Sequence, residues 1–408
     1  MTALIGVESG NQIFSNLCIG DAKVMAAIDF DQQIDRTNTF STKWERYADT
    51  ETLPMWVADT DFKAPKAITQ ALQERIDHGV FGYTMVPPQL NQTIIERMQR
   101  LYDWQIEAEW IVWLPGLVCA LNIACRAAAP EGGVALAPKP IYPPFISAPH
   151  LNAMQVCQIP HKLQGLRWVM DFTALEQSIT SESKILLFCN PHNPGGTIYT
   201  AEELAQLAQI VTKHDLVLCS DEIHCDLLLD KEARHIPVAS INPQIAEQCI
   251  TLMAPSKTFN IAGLGCAFAI IANPELRNKF NRARKGIVPD ANLLGYTATL
   301  AAYTHGEQWL EQQLDYFRDN HDYLVNEINA IPGLKMLPNQ ATYLAWIDVS
   351  AAKLENPALF FEQAGVGLSP GRDFGDNNYV RMNFGCTRGL LEEAVKRMKS
   401  AMLNHLPA

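Results

Sequence analysis

The sequence predicts an α/β protein: a large domain with a mostly parallel sheet flanked by helices, plus a smaller α+β domain. Three observations carry that reading. Short apolar runs alternate with helical segments through the middle of the chain, the pattern that builds parallel sheets. Beyond about Gly306 the texture changes to a long polar helix followed by strands. The 408 residues, 48% apolar, suffice for two packed domains.

The elements follow in order. Residues 1–24 have weak periodicity and read as a loosely attached, dispensable tail, and residues 25–63 as a segment joining the smaller domain. The large domain is placed at residues 64–305. It opens with "APKAITQALQERIDHG", apolar at helical spacing and stopped by Gly79. The runs "GVALA" (133–137), "KILLFC" (184–189), "DLVLC" (215–219) and "CITLMA" (249–254) read as strands. "TAEELAQLAQIVTKH" between the second and third is an amphipathic helix. The smaller domain, 306–408, begins with "EQWLEQQLDYFRDNHDYLVNEINA", continues with strands near 342–348 and 378–384, and ends in a helix from about Leu390.

Composition excludes several functions. The net charge of −12 argues against nucleic acid or an anionic membrane surface as a main partner. The basic cluster "RNKFNRARK" (277–285) reads as the exposed side of a helix. The ten cysteines form no CxxC pair and sit mostly in apolar strings, as in a reducing, cytoplasmic compartment. No zinc spacing is present, so no metal is expected. "WIVWLPGLVCALNIACRAAA" (110–129) is broken by Pro115-Gly116 and reads as strand then helix rather than a membrane span.

The stretch "ITLMAPSKTFNIAGLGCAFAII" (250–271) contains one charge, Lys257. Ser256-Lys257-Thr258 lacks the glycines of a nucleotide P-loop. A lone lysine there is a surface-snorkelling side chain unless something uses it. Its neighbours supply the use. In parallel α/β sheets ligands bind beyond the carboxyl ends of the strands. "KILLFC" ends in "NPHNPGG", "DLVLC" in "SDEIH" and "ITLMA" in "PSK", which brings Asn193, Asp221 and Lys257 to one edge. "IVWL" ends in "PGLVCAL", where the backbone N–H groups of Gly116, Leu117 and Val118 open a helix and form an anion site. Pyridoxal 5′-phosphate uses all four features. The cradle takes the phosphate, the lysine forms a Schiff base, the carboxylate keeps the ring nitrogen protonated, and the amide bonds the phenolic oxygen.

"NPHNPGG", "SDEIH" and "SKTFNIAGLG" together resemble the motifs of fold-type I pyridoxal-phosphate enzymes, the aminotransferase-like fold. More narrowly, "KWERY", "LPMWVADTDF", "GVFGYT", "PIYPPF" and "VRMNFG" are similar to the cystathionine β-lyase, or C–S lyase, branch of the MalY/PatB type, over about residues 28–404. Thr60 and Gly195-Gly196 depart from the branch's usual residues. The resemblance implies an α,β-elimination in which L-cystathionine, cysteine or another S-conjugate gives thiol, pyruvate and ammonia. An aminotransferase and a cofactor-holding regulatory protein are the alternatives.

The resemblance implies roles that each have a plainer competitor. Lys257 carries the cofactor and the Cα proton. Asp221 pairs with the ring nitrogen, or caps a helix. Asn193 bonds the phenolic oxygen, or makes an Asn-Pro turn. His224 sits near that oxygen, or is a core histidine. Tyr142 stacks on the ring, or packs in the core. Ser256 bonds the phosphate. Arg381 clamps the substrate's α-carboxylate, or forms a surface ion pair. Trp56 and Ala58 line the substrate side, or end a buried strand. Tyr83 reaches the phosphate of a neighbouring subunit, which implies a homodimer with shared sites, or is a tyrosine in a Gly-rich turn.

Overall fold

Strand Ser183–Cys189 shows how the core is built. Ile185, Leu187 and Cys189 enter one apolar cluster, while Leu186 and Phe188 enter another. A strand apolar on both faces needs a layer on each side. The computed structural model describes residues 28–405, so the tail of residues 1–24 lies outside it.

The central sheet comprises β1 (Ile111–Leu114), β2 (Gly133–Lys139), β3 (Met154–Gln164), β4 (Arg167–Met170), β5 (Ser183–Cys189), β6 (Val217–Asp221), β7 (Cys249–Met253) and β8 (Ala267–Ile270). Their order is β1-β8-β7-β6-β5-β2-β3-β4. β7, β6, β5, β2 and β3 are parallel. β8 runs antiparallel to both β7 and β1, so β1 points the same way as β7. The carboxyl ends of β1, β5, β6 and β7 therefore share one edge. Two features depart from the sequence reading. The apolar stretch 250–271 divides into β7, β8 and the intervening loop that carries Lys257. The β3–β4 hairpin adds a second antiparallel member.

The longer helices are α1 (Lys66–His78), α2 (Pro88–Tyr102), α3 (Leu117–Ala128), α4 (Ala201–Lys213), α5 (Pro274–Arg284), α6 (Leu293–His305), α7 (Glu307–Asn329) and α8 (Arg388–His405). α1 stops at Gly79, whose φ of +75° is easy only for glycine. α4 starts with a reciprocal cap between Thr200 and Glu203. α3 and α5 cover one face of the sheet, and α2 and α4 cover the other.

A second sheet is antiparallel, with β9 (Lys335–Met336), β10 (Leu344–Asp348), β11 (Ser369–Pro370) and β12 (Tyr379–Asn383) in the order β9-β10-β12-β11. Its core takes Phe317 and Leu324 from α7, Leu391 and Val395 from α8, and Phe30, Met55 and Phe62 from the N-terminal segment. Leu53–Pro54 also pairs with Val366–Gly367. Among the described residues no helix is long and apolar enough to cross a membrane.

A buried charge knot fixes the N-terminal segment. Lys43, with no exposure, donates to Asp61 at 2.7 Å. Asp61 also accepts from Arg36 at 2.8 Å and from the Trp44 indole at 2.9 Å. Burial alone would raise the Asp61 carboxyl, but Lys43, Trp44 and Arg36 outweigh it and hold it below its usual value. Removing one partner of such a group leaves a buried charge uncompensated, at about 3–5 kcal/mol. Lys43→Met is expected to lower the unfolding free energy, measured by urea titration, by an amount in that range. A change below about 1 kcal/mol would show that Arg36 and Trp44 suffice.

Candidate active site

The shared sheet edge opens into a cavity of about 450 Å³. Every residue given a site role in the sequence analysis lines it except Tyr83, which is fully exposed on this single chain. The strands explain the convergence. β6 ends at Asp221, the loop after β5 carries Asn193, the loop after β7 carries Ser256 and Lys257, and α3 begins just after β1.

The sequence "SDEIH" offers two adjacent carboxylates, and their surroundings separate them. Glu222 accepts from His235 at 2.7 Å, the Ser220 hydroxyl at 2.8 Å and the Val238 N–H at 3.1 Å. Its bonding is local and structural. Among the described residues the Asp221 carboxylate accepts only the Ile223 N–H, at 3.1 Å, and it faces the cavity. Burial pushes its carboxyl up to about 7. The Glu222 charge adds to this, while the Ile223 N–H and Lys257 oppose it. A buried carboxylate so poorly compensated fits a cationic ring nitrogen.

The Lys257 amine donates to the Ala58 carbonyl at 2.6 Å, and that carbonyl also accepts the Tyr343 hydroxyl at 3.0 Å. Burial lowers Lys257 to about 8, with Arg381 contributing and Asp59 and Asp221 opposing. The amine is therefore poised to lose its proton near neutrality. Tyr343 was not singled out in the sequence, because nothing marks a tyrosine in "ATYLAW" as holding a distant carbonyl.

Arg381 lies in β12, 4% exposed, and among the described residues no carboxylate contacts it, so it is not a surface ion pair. It donates to Asn193 Oδ1 at 3.1 Å, the Trp56 carbonyl at 3.0 Å and Ser369 Oγ at 3.3 Å, and lies over the Phe374 ring at 4.6 Å. Its Nε is buried without a partner. Burial lowers its pKa to about 10, still charged at neutral pH. Asn193 spends its oxygen on Arg381 and keeps its amide hydrogens for the cavity. His224, 3% exposed, has a buried Nδ1 without a partner among the described residues, and burial beside Lys257 and Arg381 drops it to about 3. It is neutral. Tyr142 is half-buried on the wall.

The first-turn N–H groups of α3 have no acceptor within the helix, and Gly116 has open space where a Cβ would project. Together with the Ser256 hydroxyl they form a cradle for a phosphate. The donor set thus fits pyridoxal phosphate at both ends. The Gly195-Gly196 departure has a local cause. Gly196 has φ +66°, and a Cβ there would meet Asn339 at 2.6 Å. Thr60 is buried, with its Oγ1 unpartnered. A second cavity, about 330 Å³, lies apart from these groups. Its Arg97 and Asp226 already pair at 2.5 Å.

Asp221 gives a pH test. Its folded pKa, about 7, exceeds its unfolded value near 3.8, so folding favours the protonated acid. That contribution is full below about pH 4 and is lost as pH rises to about 7, on the order of 4 kcal/mol in all. After cofactor removal, Asp221→Asn is expected to unfold at higher urea than wild type at pH 8 and to lose that advantage at pH 4. A variant less stable than wild type at pH 8 would contradict the buried, uncompensated carboxylate.

The family model for aminotransferase class I and II matches residues 56–398. Cystathionine β-lyase PatB of Bacillus subtilis is 36% identical, over 92% of this chain and all of the relative. The crystal structure of OvoB is 50% identical and superposes with a TM-score of 0.90 over 92% of this chain and 99% of that one. Cystalysin from Treponema denticola, whose crystal structure contains pyridoxal 5′-phosphate, is 32% identical with a TM-score of 0.88, covering 92% of this chain and 99% of its own. The protein belongs to the aminotransferase class I and II family, in its cystathionine β-lyase branch.

Proposed function

We propose that the protein is a pyridoxal-phosphate-dependent C–S lyase that eliminates a thiol from L-cystathionine, cysteine or a related S-conjugate, leaving pyruvate and ammonia. The observation that carries this is the meeting of Asp221, Lys257 and Arg381 in one cavity. When bound, the cofactor supplies a pyridinium ring that accepts the electron pair left at the substrate's Cα. Asp221 holds the proton on the ring nitrogen. The amide hydrogens of Asn193 and the neutral imidazole of His224 serve the ring oxygen without adding charge. Tyr142 covers the ring face. The N–H groups of Gly116, Leu117 and Val118, with Ser256, hold the phosphate.

Arg381 fixes the α-carboxylate and so orients the substrate. Lys257, lowered to about 8, takes the Cα proton as general base. The electron pair then forms the Cα–Cβ double bond as the Cβ–S bond breaks and the thiolate departs. The three-carbon remainder hydrolyses to pyruvate and ammonia. Trp56 and Ala58 bound the substrate side.

A homodimer completes the proposal. Phe81, Tyr83 and Met85 are exposed in one short stretch, a surface suited to a second copy in which Tyr83 reaches the partner's phosphate cradle. The cytoplasm suits the nine unpaired cysteines of the described residues.

Incubation with L-cystathionine and no keto acid is expected to yield pyruvate, detected by a coupled dehydrogenase. Lys257→Ala is expected to lose at least the ~10²–10⁴-fold of a positioned general base. The lyase reading fails if active wild type makes no pyruvate from any β-thio amino acid yet transaminates when a keto acid is supplied. Arg381→Ala is expected to weaken substrate binding by about 1.5–3 kcal/mol, seen as a rise in KM, with cofactor absorbance retained. An unchanged KM would place the carboxylate clamp elsewhere.

A further inference from the structure

We infer that Arg46 is a specificity-determining residue that binds a carboxylate at the far end of the leaving thiol. The inference rests on the lyase reading above and extends it to the substrate class: S-conjugates of cysteine whose leaving group is itself anionic.

Arg46 belongs to "KWERY", just after the short helix Thr42–Glu45, and lines the same cavity as Lys257 and Arg381. Its guanidinium is held but not consumed. It lies over the Trp56 ring at 4.6 Å and the Tyr47 ring at 5.4 Å. These aromatic faces fix the plane of a guanidinium and leave its N–H edge free. Among the described residues its nearest carboxylate, Glu362, stands at 3.9 Å, beyond hydrogen-bond reach. Glu362 already accepts the Tyr47 hydroxyl at 2.8 Å. With a side chain 48% exposed, Arg46 stands where the cavity meets solvent.

Trp56 sets the relation between the two cations of the cavity. Its carbonyl accepts from the buried Arg381, and its ring supports the exposed Arg46. Its indole N–H is tied to the Lys43 carbonyl at 3.2 Å, and Lys43 belongs to the charge knot around Asp61. One immobilised residue therefore carries both guanidiniums, an inner and an outer one. A substrate with a carboxylate at each end presents one to each. The inner carboxylate goes to Arg381 on the proposed mechanism, and the outer one finds an oriented bidentate donor in Arg46.

Three cysteine thioethers of similar length separate the contributions: S-propyl-L-cysteine, with an uncharged tail; S-(2-carboxyethyl)-L-cysteine, with a carboxylate; and L-cystathionine, with a carboxylate and an ammonium. Pyruvate formation is measured on holoenzyme for wild type, Arg46→Gln and Arg46→Lys, each checked for wild-type cofactor absorbance. In wild type, kcat/KM for the carboxyethyl compound is expected to exceed that for the propyl compound. Arg46→Gln is expected to lower this ratio about tenfold, the loss of an exposed charged hydrogen bond. The loss should lie mainly in KM, and Arg46→Lys should restore part of it. Cystathionine should follow the carboxyethyl compound. An unchanged ratio in Arg46→Gln, with all three substrates turned over by wild type, overturns the inference alone. Absence of pyruvate from all three in wild type overturns the lyase reading and the inference with it.

Discussion

The site depends on one costly placement, a carboxylate at the end of a strand with almost nothing to neutralise it. Asp221 ends β6, between β5 and β7, where apolar residues cover both faces of the sheet. A carboxylate in such a place resists ionisation, which is why burial drives it up to about 7. The neighbouring Glu222 shows that the fold can satisfy a buried carboxylate when it needs to. There a histidine, a hydroxyl and a backbone N–H supply the hydrogen bonds. That Asp221 lacks them while facing the cavity is a reserved interaction, and a cationic ring is its complement.

The same edge requires a second wall. The central sheet alone presents Asn193, Asp221 and Lys257, whereas Arg381 arrives from the antiparallel sheet. The bond from Arg381 to Asn193 joins the two. The bond from Arg381 to the Trp56 carbonyl brings in the N-terminal segment, and Lys43, Asp61, Arg36 and Trp44 secure that segment from behind. Motifs such as "KWERY" and "LPMWVADTDF" therefore combine two kinds of residue. Lys43, Trp44 and Asp61 hold the wall, while Arg46, Trp56 and Ala58 face the cavity.

The strand ends were legible because the physics of a parallel sheet is local in sequence. An apolar run followed by a polar turn marks a strand and its carboxyl end, and three such turns carried Asn193, Asp221 and Lys257. Elements whose role depends on distant partners were less legible. β8 was hidden in the stretch 250–271 because a loop between two buried strands can be as apolar as the strands themselves. The β3–β4 hairpin escaped because Met154–Gln164 has exposed and buried positions mixed along it. Tyr343 and Arg46 gave no signal of their own, since one acts through a carbonyl far away in sequence and the other through an aromatic ring that only folding brings beneath it. Gly196 was visible as a departure, but its reason, the Asn339 side chain, lies more than a hundred positions on.

Lys257 and Arg381 gain a further coupling from this arrangement. After burial, Arg381 is the largest influence lowering the lysine's pKa. Two cations sharing a low-dielectric cavity repel, and the one that can release a proton does so. In the cofactor-free site that repulsion favours the neutral amine, the form able to react with a carbonyl. On the proposed reading, the substrate's carboxylate then pairs with Arg381 and cancels much of its field at Lys257. The lysine's affinity for a proton rises just when it has to take one from Cα. The residue that positions the substrate would thereby strengthen the base that acts on it, through its charge.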